Sequence, residues 1–402
     1  VDEPQLQGQK FDLDIDNAYD KEEFTNESDA PATGMRWSSA AFIMVATLVG
    51  IGVLGISEAL ASLGWGFGLS VLFIFAIAST YSGFMISRSM LYIEKIKIHG
   101  RPRKYGALGF AAYGTRGETI IRRCQMFYLA GVIVSYQKVA ASCLHQVVVQ
   151  LGGGFCLVSS QLVVALVMLG AMQIQTLEGV TYIATFGVVM IVVTICIYLQ
   201  QVIDGGSESP DVGGPTDFWS AIDAVMVIAF AFQGQSIFPE IQSEMKTRSD
   251  MPKAVVAAGV TMLVIYTGVG SVGYSFVGRA APFLYKWDIQ RNGTQVKTTI
   301  ANAFLVLHIL TGYTISSNVL NQGAVEWVMK GEKASRLQWL SITSVTAFCA
   351  FFLGNVIPQV PNIISLIGAA CGNTLTFLAP IAVLIALVGD EMSERILMLH
   401  KA

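Results

Sequence analysis

Along most of the chain, apolar residues run in blocks separated by short polar or glycine-rich segments. The blocks are close to the roughly 20 residues that an α-helix needs to cross a bilayer. They lie at about 37–60, 67–92, 120–148, 157–175, 180–200, 218–245, 253–277, 299–328, 338–355 and 362–388, which predicts ten spans in an all-α polytopic membrane protein. Blocks one and six are interrupted. The first carries Gly50, Gly52 and Gly55, followed by Ser57 and Glu58; the sixth carries Gln233, Gly234, Gln235 and Ser236, then Pro239 and Glu240. Glycine weakens a helix interior and proline removes a donor from its ladder.

Ten spans divide into two sets of five, so spans one and six are counterparts. Interrupted apolar segments at matching places in two halves point to a transporter's binding site near the midplane. Unwinding a helix there frees backbone N–H and C=O groups, which is tolerable only where they line a cavity in the protein. The freed donors at a half-helix N-terminus suit a carboxylate, and the freed carbonyls suit an ammonium group or a cation. An α-amino acid carries both ends. The candidate substrate-binding residues are therefore Gly50, Ile51, Gly52, Val53 and Glu58 in span one, with Phe232, Gln233, Gly234, Gln235 and Ser236 in span six.

Composition agrees with this reading. Hydrophobic residues make up 53% of the chain, charged residues only 13%, and the mean hydropathy is +0.58, outside the usual range of soluble domains. The exception is the N-terminal segment, which contains "FDLDIDNAYDKEEFTNESDA" and reads as an acidic, disordered cytosolic tail over 1–35. A transporter domain follows over 36–388, with one repeat at about 36–200 and a second at about 218–388, and "GDEMSERILMLHKA" at 389–402 forms a cytosolic C-terminal tail. With a cytosolic N-terminus, twenty of the 25 Lys and Arg residues fall on the inner side and four on the outer, with Lys138 left inside span three. That asymmetry predicts both termini inside. The sequon at Asn292 then lies in an outer loop, open to glycosylation, whereas the one at Asn26 is cytosolic. Apart from the tail the chain is nearly neutral, which argues against nucleic-acid binding. The six cysteines show no CxxC spacing, so no metal site is expected. HExxH and GxSxG are both absent, and "GGG" at 152–154 lacks the Lys-Ser/Thr of a phosphate loop, so the chain does not read as an enzyme.

The ordered set "VGIGVLGISEALASLGWGFG", "KYGALGFAAYGTRGE", "FAFQGQSIFPEIQSEMK" and "VLHILTGY" resembles the amino acid/auxin permease family, and the plant-type amino acid permeases within it. The resemblance covers about 36–388. It implies a LeuT-like 5+5 inverted repeat and symport of amino acids driven by a proton or sodium gradient, with no bound cofactor. It also implies either the plasma membrane or a vacuolar or lysosomal membrane. The family's span-one motif usually continues Leu-Pro-aromatic, where this chain has Ile56-Ser57-Glu58, and members generally have an eleventh span.

Several polar residues are candidates for coupling. Lys138 sits about 22 Å beyond Arg123 along a helix, deep enough to serve as the proton carrier or as a fixed stand-in for sodium. Glu240 either titrates with transport or braces the broken helix. His308 either relays protons or bridges two helices. Ser316 and Ser317 occupy a span-eight position where sodium-coupled members of this fold place hydroxyl ligands. Glu58, if it faces the cavity, holds a cationic side chain or the proton. Asp223 is read as a charge at the outer start of span six. The competing reading is a receptor of the same fold that binds an amino acid with little flux. The partners expected are the amino acid and the lipid bilayer; the sequence leaves the oligomeric state open.

Overall fold

The structure is a computed structural model that describes residues 34–95, 104–175, 177–205, 213–215, 217–281, 295–329, 334–357, 364 and 366–387. The expected glycosylation site at Asn292, nearly all of the acidic tail and the C-terminal tail lie outside these residues.

The described chain is almost entirely helical. Helix α1 (Trp37–Leu48) stops short and is followed by a 3-10 turn (Ile51–Gly55) and α2 (Ile56–Leu63). Then come α3 (Trp65–Lys95), α4 (Tyr105–Gln150), α5 (Leu157–Ala171) and α6 (Leu177–Gly205). Helix α7 (Phe218–Ala231) also stops short, and the chain resumes through a 3-10 turn (Gln235–Ile237) into the short α8 (Phe238–Ser243). Helices α9 (Met251–Val277), α10 (Gln295–Met329), α11 (Arg336–Val356) and α12 (Gly368–Leu387), the last wound as a π-helix over Gly368–Gly372 and Thr374–Leu378, complete the set.

Among the described residues, eight segments are long and apolar enough to cross a membrane, or nine if the bent pair α1 and α2 counts as one span. The sequence led us to expect ten. The difference is α5, whose 15 residues extend only about 22 Å against a hydrocarbon thickness of about 30 Å.

Burial sorts the helices into an inner and an outer set. The apolar window of α10 is 72% buried and that of α11 only 28%, so α10 is central and α11 peripheral. Helix α10 packs along α4 and α6, while α9 packs against α1, α2 and α3. The outer surface is apolar, with Ile77, Tyr81, Phe348 and Phe352 all more than half exposed, as a lipid-facing surface requires. Much of the polar side-chain inventory is turned inward instead: Gln137, Gln161, Asn302, Asn321 and Ser317 have essentially no exposed surface.

Helix ends follow local chemistry. Asp217 caps α7, its Oδ1 accepting from Trp219 N at 2.9 Å and Ser220 N at 3.0 Å, so the N-terminal charge sits six residues before the expected Asp223. Ser335 and Gln338 form a capping box on α11. Helix α4 bends at Tyr113 and Gly114, where Gly114 has φ +62°, a left-handed conformation that glycine adopts without penalty. The bend sets off a first short helix at the basic end of the bundle. There Arg122 pairs with Glu118 at 2.9 Å and with Glu326 at 3.1 Å, and Lys104 also pairs with Glu326. On the same side, the residue pair Met35 and Met245 makes a parallel main-chain bridge, with Met35 N on Glu244 O at 3.0 Å and Lys246 N on Met35 O at 2.9 Å. This bridge ties the start of α1 to the end of α8.

Candidate functional site

The two interruptions face each other at the centre of the fold. Helices α1 and α2, with the intervening 3-10 turn, meet at a bend of 42°. A Cβ on Gly52 would lie 2.7 Å from Ala231 Cα, in the last residue of α7, and one on Gly234 would run into the Leu48 side chain. Each break therefore has a glycine where the other break approaches, and close approach is what these two glycines provide.

A helix that stops leaves its last carbonyls without partners, and here side chains supply the donors. In the first break, Thr47 O accepts from Tyr136 Oη at 3.1 Å, and His308 Nε2 lies 3.1 Å from Val49 O. In the second, Phe232 O accepts from Ser79 Oγ at 3.0 Å and Gln233 O from Tyr128 Oη at 3.2 Å. Tyr266 serves both, its hydroxyl 2.7 Å from Leu48 O and 2.9 Å from Ala231 O. Six freed carbonyls thus meet side chains from α3, α4, α9 and α10.

Between the breaks lies a small, narrow cavity. Span one contributes Thr47, Leu48, Gly50, Ile51 and Gly52, and the second break contributes Phe230, Gln233, Gly234, Ser236 and Ile237. Helix α4 adds Tyr128, Leu129, Val132 and Tyr136, and α10 adds Ser316. None of these lining residues is charged. Two polar atoms here are buried without a partner among the described residues: Ser316 Oγ and Gln233 Oε1.

The residues singled out from sequence are distributed as follows. Gly50, Ile51, Gly52, Gln233, Gly234, Ser236 and Ser316 line the cavity. Val53 is buried in the 3-10 turn behind it, and Phe232 turns its ring onto Tyr266, with centroids 5.0 Å apart. Gln235 braces the second break, accepting from Gly234 N at 2.8 Å and donating to Ser79 Oγ at 2.6 Å. Glu58 is exposed in the first turn of α2 and lies outside the lining. Ser317 donates to Thr314 O of its own helix at 3.1 Å.

Lys138 is away from the cavity. Its ammonium donates to Gly354 O at 3.0 Å and Ile357 O at 2.6 Å, at the C-terminal end of α11. A cation placed there satisfies orphan carbonyls and complements the helix dipole. His308 has both ring nitrogens against carbonyls, Nδ1 being 2.9 Å from Gly187 O and Nε2 3.1 Å from Val49 O. A neutral imidazole donates from one nitrogen only. Glu240 lies one turn below the second break and accepts through Oε1 from Gln125 Nε2 at 2.8 Å and Tyr105 N at 3.3 Å. All six cysteines are free, and no His, Cys, Asp and Glu cluster suited to a metal occurs among the described residues.

The tyrosines were missed in the sequence, although a signal was present. Tyr128, Val132 and Tyr136 recur at intervals of four, which places them on one helix face.

A family profile described as "Transmembrane amino acid transporter protein" matches residues 33–401. The chain is 24% identical over 361 residues to the amino acid transporter AVT1B of Arabidopsis thaliana, covering 87% of this chain and 64% of that protein. Amino acid transporter AVT1C of the same plant is 22% identical over 370 residues, covering 88% and 64%. The chain therefore spans just under two thirds of the length of these two relatives. Lysine histidine transporter-like 1, also from Arabidopsis thaliana, is 24% identical over 392 residues, covering 91% of this chain and 84% of its own length. Among solved structures, MHP1, a nucleobase-cation-symport-1 family transporter in a closed conformation, superposes with a TM-score of 0.62 at 13% identity, covering 90% of this chain and 80% of that one. A Na+-coupled sialic acid symporter in an outward-open state gives 0.57 at 12%, covering 89% and 81%. At these identities, the structural likeness concerns the fold.

Proposed function

Since the chain belongs to the family of transmembrane amino acid transporter proteins, which is not a family of enzymes, we propose that it is a secondary active transporter of amino acids, a proton-coupled symporter. The observation that carries this reading is the meeting of two interrupted helices around an uncharged cavity whose lining residues include Gln233 and Ser316, each with a buried polar atom that has no partner among the described residues. The first N–H groups of the 3-10 turn at Ile51–Gly55 have no partner within the turn, which suits them to the substrate carboxylate. Gln233 Oε1 and the Ser316 hydroxyl suit the ammonium end. The side chain of the substrate then meets Leu129, Val132 and Phe230, so a neutral amino acid fits better than a charged one.

The two breaks correspond to spans one and six of a LeuT-like 5+5 inverted repeat, with α5 as a short fourth span and both termini cytosolic. The protein would work in the plasma membrane or in a vacuolar or lysosomal membrane. Sodium coupling is the second reading, and the unpartnered Ser316 hydroxyl favours it. Uptake by proteoliposomes of an amino acid panel, with proton and sodium gradients imposed separately, decides between them. Accumulation driven by pH alone is expected. Accumulation driven by sodium alone would establish the second reading, and binding without flux would establish a receptor.

A further inference from the structure

Glu240 sits in the first turn of α8, directly after the second break, and is only 6% exposed. Its two oxygens are unequally served. Oε1 takes the Gln125 amide and the Tyr105 backbone N–H, while Oε2 is buried with no hydrogen-bond partner among the described residues. A buried carboxylate normally fills several lone-pair sites, so half of this one is left unspent. The same Gln125 Nε2 also donates to Ser236 O at 2.5 Å, and Ser236 lines the cavity. One amide thus joins the carboxylate to the cavity floor.

Charged groups lie on several sides of Glu240. Lys104 acts on it through space, and the Tyr105 hydroxyl is committed to Leu375 O. Lys104 is itself paired with Glu326, and Arg122 with Glu118 and Glu326. On α3, Glu94 pairs with Arg248 and Arg88 is exposed. Helix α1 carries no charged residue, and Arg116 and Arg123 of α4 are exposed. Nothing in this set forms a direct ion pair with Glu240 among the described residues.

We infer that Glu240 takes up and releases the driving proton, and that Gln125 carries its protonation state to the cavity floor at Ser236. The inference rests on the transporter reading above and names the coupling group within it. In the uptake step, hydronium from the proton-rich side gives its proton to Oε2, leaving water and a neutral carboxyl. Release on the other side reverses this. Neutralisation removes the attraction of Lys104 and the charge assistance from both Oε1 bonds. These contacts hold α8, the short first helix of α4 and the second break together, so their weakening loosens the inner closure of the cavity. With so little of Glu240 exposed in this conformation, exchange with water requires another one. This separates uptake from release, as coupling demands.

The test compares wild type with Glu240→Gln and Glu240→Asp in proteoliposomes, reading amino acid exchange, pH-driven accumulation and proton flux by an entrapped dye. Glutamine keeps the acceptor facing Gln125 and Tyr105 but cannot titrate. Glu240→Gln is expected to retain measurable exchange while losing both uphill accumulation and substrate-dependent proton flux. Glu240→Asp should recover both, with a displaced pH profile. If Glu240→Gln still accumulates substrate when pH is the only driving force, the inference fails and the transporter reading stands. If Glu240→Gln is inactive altogether, recovery of proton flux by Glu240→Asp supports the inference, and exchange without proton flux in Glu240→Asp overturns it. Wild type that exchanges no amino acid at all would overturn the transporter reading itself, and the inference with it.

Discussion

At Gly52 a single methyl group separates two outcomes. Its Cβ would press on the Ala231 backbone at 2.7 Å, whereas a Cβ at Gly234 would press on the movable end of Leu48. Backbone cannot step aside as a leucine tip can, and overpacking of this kind typically costs about 1–3 kcal/mol. Gly52→Ala is therefore expected to weaken substrate binding by roughly tenfold or more, and Gly234→Ala by less. Isothermal titration on purified protein checks the order; equal affinities in the two variants would remove close approach as the reason for these glycines. Lys138 is the second case at this scale. Its two bonds to the end of α11 involve a charged donor, a class worth about 1.5–3 kcal/mol each. Lys138→Met should lower the thermal midpoint in detergent while pH-driven accumulation per folded molecule persists. Loss of accumulation at unchanged stability would instead make Lys138 the carrier.

Among the helices, the informative contacts are those that hold the breaks open. Helix α9 contributes one hydroxyl, that of Tyr266, to carbonyls of both α1 and α7, while Tyr136 on α4 serves α1 alone. Removing a donor from a buried acceptor costs about 1–3 kcal/mol, and at Tyr266 two acceptors lose it together. Tyr266→Phe should therefore destabilise the protein more than Tyr136→Phe, and it should speed amide hydrogen exchange at both breaks. Hydrogen exchange confined to one break would show that Tyr266 does not couple them.

Across the whole molecule, the asymmetry of basic residues leads us to expect the Arg116 end of α4 on the inner side and the Leu151 end on the outer side, and these two ends provide a direct assay. In a cysteine-free background, Leu151→Cys is expected to react with an impermeant maleimide from outside, and Arg116→Cys only after the membrane is opened. Both positions are exposed. External labelling at 116 would invert the topology and, with it, the side on which Glu240 is expected to release its proton.

The sequence by itself determined the all-helical membrane class and most of the helix positions. Those features depend on local composition, chiefly the length of the apolar runs and the polar, glycine and proline residues that interrupt them. It also pointed to Gly52, Gly234 and Ser316, because a small or hydroxyl residue in an apolar run is visible without knowing its neighbours. The tertiary structure alone decided which donors meet the freed carbonyls. Tyr128, Tyr136, Tyr266 and Ser79 come from three different helices, and their assembly at one place depends on packing across more than a hundred residues of chain. It likewise decided what Lys138 and Glu240 touch. A buried charge announces itself in sequence, but its role is set by the partner that folding brings to it: helix-end carbonyls for Lys138, and for Glu240 an amide shared with the cavity floor.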